Sequence, residues 1–267
     1  MKIRPNEQQK QMKNHYLFHI QFLGFRYHGW LKQPGYKTIQ SMVEKTFEFI
    51  FQHPNFKTLG CSRTDAKVSA NHFVFELFCD EVFEPSTFVT LFNKNLPNDI
   101  RALKIETTNE SFNIIQAAKS KEYLYLFAHG KKNHPFAAAQ VMSIDETLDI
   151  THMNEGAKIF LGTNDFRRYC AEPKPNQNFI RTIECCEIVE NKNYTANFFP
   201  EQSYFFRVKS NGFLRYQVRL MMGQLIEVGK GKLTLEELKE TLSGSSDIPV
   251  RNIAPSSGLI LNAVIFE

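Results

Sequence analysis

Apolar residues in the first half of the chain recur at strand spacing in some segments and at helical spacing in others. In residues 16–22 an apolar side chain stands at every second position, as in a strand with one buried face. Residues 39–51 carry apolar side chains at helical spacing after Thr38, a residue type that caps helix N-termini. The same reasoning predicts a strand, a helix and a strand at 72–78, 88–92 and 100–105. This order favours an α+β fold with helices on one face of a sheet.

The second half repeats this order more loosely. Apolar stripes at helical spacing follow Thr151 and run through residues 214–225, where Gly229 ends the stripe. Thr234 and Glu237 form a capping box for a further short helix. Strands are predicted at 121–128, 181–189, 204–209 and 259–266. We therefore expect a flexible tail at 1–14, an N-terminal α+β subdomain at 15–109 and a C-terminal one at 110–267.

Composition agrees with a folded chain. The 267 residues are 42% hydrophobic and include 25 Phe, most of which we expect to fill the core. No apolar run reaches the length of a membrane span. The first residues are polar and lack the apolar middle of a signal peptide, so we expect a cytoplasmic protein without a membrane partner.

Cysteine usage and charge narrow the function only slightly. The five cysteines include no CxxC pair, and the neighbours Cys185 and Cys186 would face opposite sides of a strand. Buried thiols are therefore favoured over a metal site. The net charge of +4 permits an anionic partner such as nucleic acid but does not demand one.

Chemistry is suggested by three short segments, each weak when taken alone. Arg63 and Asp65 lie in the polar segment 61–70, where a turn with Asp65 bonded to nearby backbone is the commoner structure. The four-residue spacing of Arg215 and Arg219 puts them on one helix face, which is usually solvated. Tyr123 and its neighbour two positions on would share one strand face, usually as core.

The order of several motifs carries a resemblance to a known family. The chain contains FRYHGWLKQPGYKTIQ at 25–40, SRTDAKVSA at 62–70, NLPNDI at 95–100 and KEYLY at 121–125. It continues with FLGTNDF at 160–166, GFLRYQVRLMMG at 212–223 and APSSGLIL at 254–261. In this order they resemble the motifs of the TruA-type tRNA pseudouridine synthases, whose catalytic loop reads GRTDAGVHA. The resemblance covers nearly the whole chain from about residue 16.

This resemblance implies a role for each matching residue. Asp65 matches the family's aspartate nucleophile, and Arg219 matches the arginine that pairs with it. Tyr123 matches the tyrosine that packs on the uracil and serves in proton transfer. Arg63 matches an arginine that helps displace the target base, and Leu261 ends an apolar motif that lines the pocket.

The resemblance also implies a fold, a substrate and an assembly. The fold is the pseudouridine synthase fold, with two ferredoxin-like subdomains that share a mixed, mainly antiparallel sheet with a cleft between them. The substrate is a uridine of structured RNA, in the anticodon arm of tRNA, bound by a homodimer. Isomerising uridine exchanges no atom or electron with a second reactant, so we expect no cofactor and no metal.

The chain departs from the family's motifs at Ser62, Lys67, Ser69 and Ile115. The first two replace glycines, which allow positive φ and close backbone approach, and the last replaces an arginine that would contact RNA. These departures leave open a synthase that acts on another RNA and a non-catalytic RNA-binding paralogue. A third alternative is an unrelated hydrolase that uses Asp65 with Asp99 or Asp165.

Overall fold

A computed structural model describes residues 12–266 and contains one large sheet. Its strands are β1 (Asn14–Phe22), β2 (Lys57–Gly60), β3 (Ser69–Cys79), β4 (Ile100–Thr108), β5 (Ala118–His129), β6 (Met142–Ile144), β7 (Gly162–Asp165), β8 (Ile180–Glu190), β9 (Tyr204–Ser210) and β10 (Leu259–Phe266). The helices are α1 (Ile39–Phe51), α2 (Pro85–Asn95), α3 (Ile114–Ala117), α4 (Ile150–Ile159), α5 (Gln217–Gly229) and α6 (Leu235–Glu240). Residues 1–11 of the predicted tail at 1–14 lie outside the described residues.

The last strand of the chain joins the two halves of the sheet. The strands lie in the order β4-β1-β3-β10-β5-β9-β8-β7, with β2 paired to β3 and β6 to β5. β10 runs parallel to β3, where Leu261 faces Ala70, and antiparallel to β5, where Leu261 faces Tyr123. The predicted α+β fold with a mixed, mainly antiparallel sheet is confirmed. Strands from both halves of the chain therefore belong to one sheet.

Phenylalanine rings hold the first two helices on the sheet. Phe18 of β1 lies with its ring centroid 5.2 Å from that of Phe47 in α1 and 5.2 Å from that of Phe92 in α2. Phe75 of β3 stacks on Phe18 at 5.0 Å. All four rings are fully buried. The high Phe content is thus chiefly core filling, as predicted, and aromatic pairs of this kind add to the burial of apolar area.

The remaining long helices continue the same core over the second half. Residues of α4, α5 and α6 belong to the same buried cluster as Tyr123 and Tyr125 of β5. The alternate residues of β5, which include Leu124 and Leu126, lie in a second cluster on the opposite face. Residues of the loop before β9 cover that cluster, with Tyr194 among them. Within the described range, no helix is both long and apolar enough to span a bilayer.

The helix and strand predictions fail mainly at element ends. α4 begins at Ile150 with Asp149 as its cap, so Thr151 is inside the helix. α5 begins only at Gln217, because Tyr216 has φ +62° and breaks the helical run that the apolar stripe predicts. The sequence does not predict β2, β6, β7 or α3, which are too short to show a periodicity.

A histidine pair, with His19 buried and His72 half-buried, lies on the sheet face away from the helices. Val264 N–H donates to His72 Nδ1 at 3.4 Å, so His72 Nε2 carries the proton directed at His19 Nδ1, 2.8 Å away. His19 Nε2 in turn lies 2.6 Å from Glu106 Oε2. Burial, and next the nearby Lys104, lowers the pKa of His19 to about 4. Burial therefore keeps His19 neutral near pH 7, beside His72.

This pair predicts a loss of stability in mild acid. The pKa of His19 is about 4 in the folded chain and about 6.5 when unfolded, so the unfolded state binds more protons between these values. We expect the free energy of unfolding to fall as the pH drops from 6.5 to 4, on the order of 2–3 kcal/mol from this group. Denaturant titrations should show a smaller fall in His19→Gln.

The exposed His152 offers a matched control, because its ion-pair partner is Glu155 on the surface of α4. His152→Gln should keep the pH dependence of the parent chain. An unchanged pH dependence in His19→Gln would contradict the assignment.

Candidate active site

The segment 61–68 between β2 and β3 is held by two glycines of the loop that follows β1. Gly29 has φ +81°, and a Cβ placed there would lie 2.2 Å from the carbonyl oxygen of Thr64. A Cβ on Gly24 would lie 1.8 Å from the carbonyl oxygen of Val68. No larger residue fits at either position without moving the backbone. The two loops therefore form one packed unit around Asp65.

Departures from the family's motif are accommodated within this unit. Lys67 adopts φ +68°, the left-handed region that favours glycine, while its N–H donates to the carbonyl of Tyr27 at 2.9 Å. Ser69 Oγ accepts from the N–H of Gly24 at 2.9 Å in a buried position. Ile115 lies exposed on α3. The backbone N–H of Lys67 and the side chain of Ser69 thus tie the loop to its neighbour.

Asp65 meets Arg219 of α5 across the junction of the two halves. Arg219 Nη1 lies 3.3 Å from Asp65 Oδ2, and Arg219 Nε donates to the carbonyl of Ala254 at 2.8 Å. The guanidinium carbon lies 4.7 Å from the centre of the Tyr216 ring. The side chain of Asp65 is 29% exposed and that of Arg219 is 14% exposed. Three contacts therefore fix the arginine against the carboxylate.

The charge state of Asp65 reflects two opposing effects. Burial raises the pKa of its carboxyl above the ordinary value, because desolvation disfavours the anion. Arg219 acts against this increase through its charge and its hydrogen bond, and Arg215 does so through its charge alone. The carboxylate is thus accessible from solvent on one side and depends on a cation for its ionised form.

Tyr123 lies beside the loop that carries Asp65. Its ring meets that of Phe213 edge-on, with the centroids 5.3 Å apart. Burial, and next the charges of Cys61 and Asp65, raises the pKa of the Tyr123 phenol, while a hydrogen bond with Ser62 acts in the other direction. The phenol is therefore neutral at ordinary pH and can donate a hydrogen bond.

The other two predicted residues differ in their surroundings. Leu261 lies directly opposite Tyr123 in the sheet register and is fully buried, so its side chain lies beside the tyrosine on the same face of the sheet. Arg63 is exposed, two residues before Asp65, and makes no hydrogen bond or ion pair with any residue of the part of the chain described.

The sequence interpretation missed two neighbours of the site. Tyr216 stacks beside Arg219, and Lys121 Nζ donates to the carbonyl of Cys61 at 3.2 Å. Desolvation lowers the pKa of this half-buried lysine. Lys121 stands two positions before Tyr123 on the same strand face, a spacing that places its stem beside the tyrosine. The sequence carries no comparable spacing signal for Tyr216, because the contact of its ring with Arg219 depends on an unusual backbone angle.

The two aspartates of the hydrolase alternative have other partners. Asp99 accepts from Arg26 Nε at 2.9 Å and from the Tyr27 hydroxyl at 2.6 Å. Asp165 is paired with Arg167 at 2.8 Å. Neither is among the groups that shift the pKa of Asp65. Among residues 12–266, no three His, Cys, Asp or Glu side chains are grouped so that they could hold a metal ion. The geometry does not support a carboxylate pair.

A single mixed sheet with helices packed on one face agrees with the pseudouridine synthase fold. Residues 157–267 match the family model described as tRNA pseudouridine synthase. The chain is 32% identical over 249 residues to tRNA pseudouridine synthase A of Thermodesulfovibrio yellowstonii, covering 92% of this chain and 97% of the relative. It is also 32% identical to the tRNA pseudouridine synthase A of Methylacidiphilum infernorum, covering 93% and 94%.

A third relative is tRNA pseudouridine synthase A 2 of Bacillus cereus, which is 30% identical over 95% of this chain and 100% of its own length. The chain belongs to the tRNA pseudouridine synthase family. It is therefore an isomerase of the pseudouridine synthase type. The unrelated hydrolase is excluded.

The ion pair predicts how activity depends on pH. Removing the cation in Arg219→Gln should raise the pKa of Asp65, because the carboxylate loses the charge that opposes its desolvation. If Asp65 must be ionised, activity will then be lost at higher pH as the solution is acidified. We expect the acid limb of the kcat/KM profile to move up by about 1–3 pH units.

Arg207 provides the control, since it pairs with Glu122 and Glu187 on the opposite face of the sheet. Arg207→Gln should leave the acid limb in place. A profile of Arg219→Gln that is lowered at all pH values without a shift would contradict an electrostatic role of Arg219 toward Asp65.

Proposed function

We propose that this chain converts a uridine of the tRNA anticodon arm to pseudouridine, with Asp65 as the nucleophile. The observation that carries the proposal is the half-buried carboxylate of Asp65 held against Arg219 at 3.3 Å. Such a pair keeps a carboxylate charged and oriented for attack. Tyr123 beside it supplies the aromatic ring and the proton-bearing group that a flipped base requires. The relatives are named tRNA pseudouridine synthases, which supports tRNA as the substrate.

The proposed reaction is an internal rearrangement. The bond between C1′ of the ribose and N1 of the uracil breaks, the base turns, and a bond forms between C1′ and C5. The C5 proton leaves and N1 gains a proton, so the atoms balance without a second reactant. Asp65 attacks the sugar or the base, or stabilises the charge that develops there, and must be ionised to do so.

The remaining site residues act on the base. Because burial keeps the Tyr123 phenol neutral, it donates a hydrogen bond to the uracil, and it accepts the C5 proton only while passing on its own. Arg63 is exposed and unpaired within the described residues, so it is free to enter the stack that the base leaves. Displacing a base costs a few kcal/mol of stacking, which such contacts offset. Leu261 lies beside Tyr123 on the same face of the sheet.

Loss of the nucleophile should abolish modification without abolishing RNA binding. In cells that lack the gene, chemical labelling should show defined uridines that are no longer converted. The parent chain should restore them, whereas Asp65→Ala should not, although it binds tRNA transcripts with unchanged affinity. Asp247→Asn, at a carboxylate that is 89% exposed, should restore them fully.

The same experiment separates the remaining alternatives. Sites that disappear from another RNA would identify a synthase with a different substrate, as the departures at Ser62, Lys67 and Ile115 leave open. Expression of the protein with no change at any RNA site would instead favour a non-catalytic RNA-binding protein.

We further propose a homodimer that binds the RNA across both subunits, in the cytoplasm. The resemblance to the TruA-type enzymes supports the dimer, and the free thiols of all five cysteines suit a reducing compartment. Sedimentation equilibrium at micromolar concentration should therefore give twice the chain mass of 31.0 kDa. A single-chain mass under these conditions would exclude the dimer.

A further inference from the structure

An exposed ion pair stands at the edge of the candidate site. Arg215 Nη1 donates to Glu172 Oε2, and the two side chains are 51% and 64% exposed. The N–H of Ala171 also donates to the carbonyl of Arg215 at 3.1 Å, so the segment that carries Glu172 is fixed to the turn before α5. The pair is thus a defined contact between two chain segments at the surface.

A shared aromatic ring joins this pair to Asp65. The guanidinium carbon of Arg215 lies 5.2 Å from the centre of the Tyr216 ring, and that of Arg219 lies 4.7 Å from the same centre. Arg219 in turn contacts Asp65. Tyr216 holds this position with φ +62°, a conformation that costs a bulky residue free energy and persists where the surroundings impose it. The Tyr216 ring therefore lies between Arg215 and the arginine that contacts the proposed nucleophile.

The chemistry of the pair suits exchange with a phosphate. Guanidinium binds carboxylate and phosphate through the same fork of N–H donors. An exposed Arg–carboxylate pair changes an equilibrium by no more than about fivefold, so a polyanion displaces the carboxylate easily. A nucleotide whose base enters the site must bring its flanking phosphates to the edge of that site, where Arg215 lies.

We propose that Arg215 binds a backbone phosphate beside the target nucleotide, and that Glu172 holds the guanidinium in place until the RNA displaces it. This assignment rests on the proposed function, because it takes the ligand to be the RNA whose uridine reaches Asp65. In the free enzyme Glu172 stands in for the phosphate. It therefore weakens RNA binding while it keeps the arginine ordered.

Binding measured over a range of salt concentrations tests this assignment. Unmodified tRNA transcript is titrated with Asp65→Asn enzyme, so that no turnover occurs, alone and combined with further changes. Adding Arg215→Gln should weaken binding and reduce the slope of log K against log salt by about 1. Arg215→Lys should retain most of the slope, because it retains the charge. Adding Glu172→Gln should tighten binding by up to about fivefold.

Two controls separate this effect from a general change in charge. Glu190 is a surface carboxylate paired with Lys192, and Glu190→Gln should leave the affinity within about twofold. In the presence of Arg215→Gln, the gain from Glu172→Gln should disappear, because no guanidinium is left to release. Thermal melting identifies any variant that fails to fold. If Arg215→Gln fails to fold, Arg215→Lys takes its place in the combination with Glu172→Gln.

An unchanged salt slope in folded Arg215→Gln would overturn the assignment, and so would equal gains from Glu172→Gln and Glu190→Gln. Failure of the proposed function gives a different result. In that case the parent enzyme forms no pseudouridine in any tRNA, whatever the salt slope. Pseudouridine formed by the parent enzyme with no effect of Arg215 on binding would reject the phosphate site alone.

Discussion

The position of β10 between β3 and β5 is the constraint on which the rest of the site depends. Leu261 faces Ala70 on one side and Tyr123 on the other, so one strand sets the distance between the two halves. Ala70 follows the loop that carries Asp65, and Tyr123 supplies the phenol. A slip of one residue would turn Leu261 to the other face and displace both neighbours. The last strand of the chain therefore brings together residues from its first half and its middle.

The second requirement is electrostatic. A carboxylate that is partly removed from water tends to become protonated, and the pKa of Asp65 is raised in that direction. Arg219 limits the shift because its own position is fixed by the carbonyl of Ala254 and by the ring of Tyr216. A lysine at this position would carry the charge but could not satisfy the carbonyl and the carboxylate through one planar group. The contacts to the arginine thus matter as much as its charge.

Periodicity predicted most of the fold because the helices and strands are long and each buries one face. α1 and β10 have the bounds that their apolar patterns indicate, and Thr38 caps α1 as expected. The prediction failed where a single backbone angle decides the structure. Apolar spacing alone carries the helical stripe back through Leu214, whereas the left-handed Tyr216 delays the helix to Gln217. Short strands such as β2 carry too few residues for any period to appear.

The site was only partly open to prediction, for a related reason. The resemblance identified Asp65, Tyr123 and Arg219, which the fold brings to one place, although spacing alone favoured a simple turn for Asp65. Loop conformation depends on φ angles that the residue type does not fix. Lys67 occupies a glycine-like conformation because its N–H is bound by the carbonyl of Tyr27. A hydrogen bond to a neighbouring loop can therefore offset the free-energy cost of a left-handed backbone at a residue other than glycine. The loss of a glycine from a motif does not by itself imply the loss of the motif's shape.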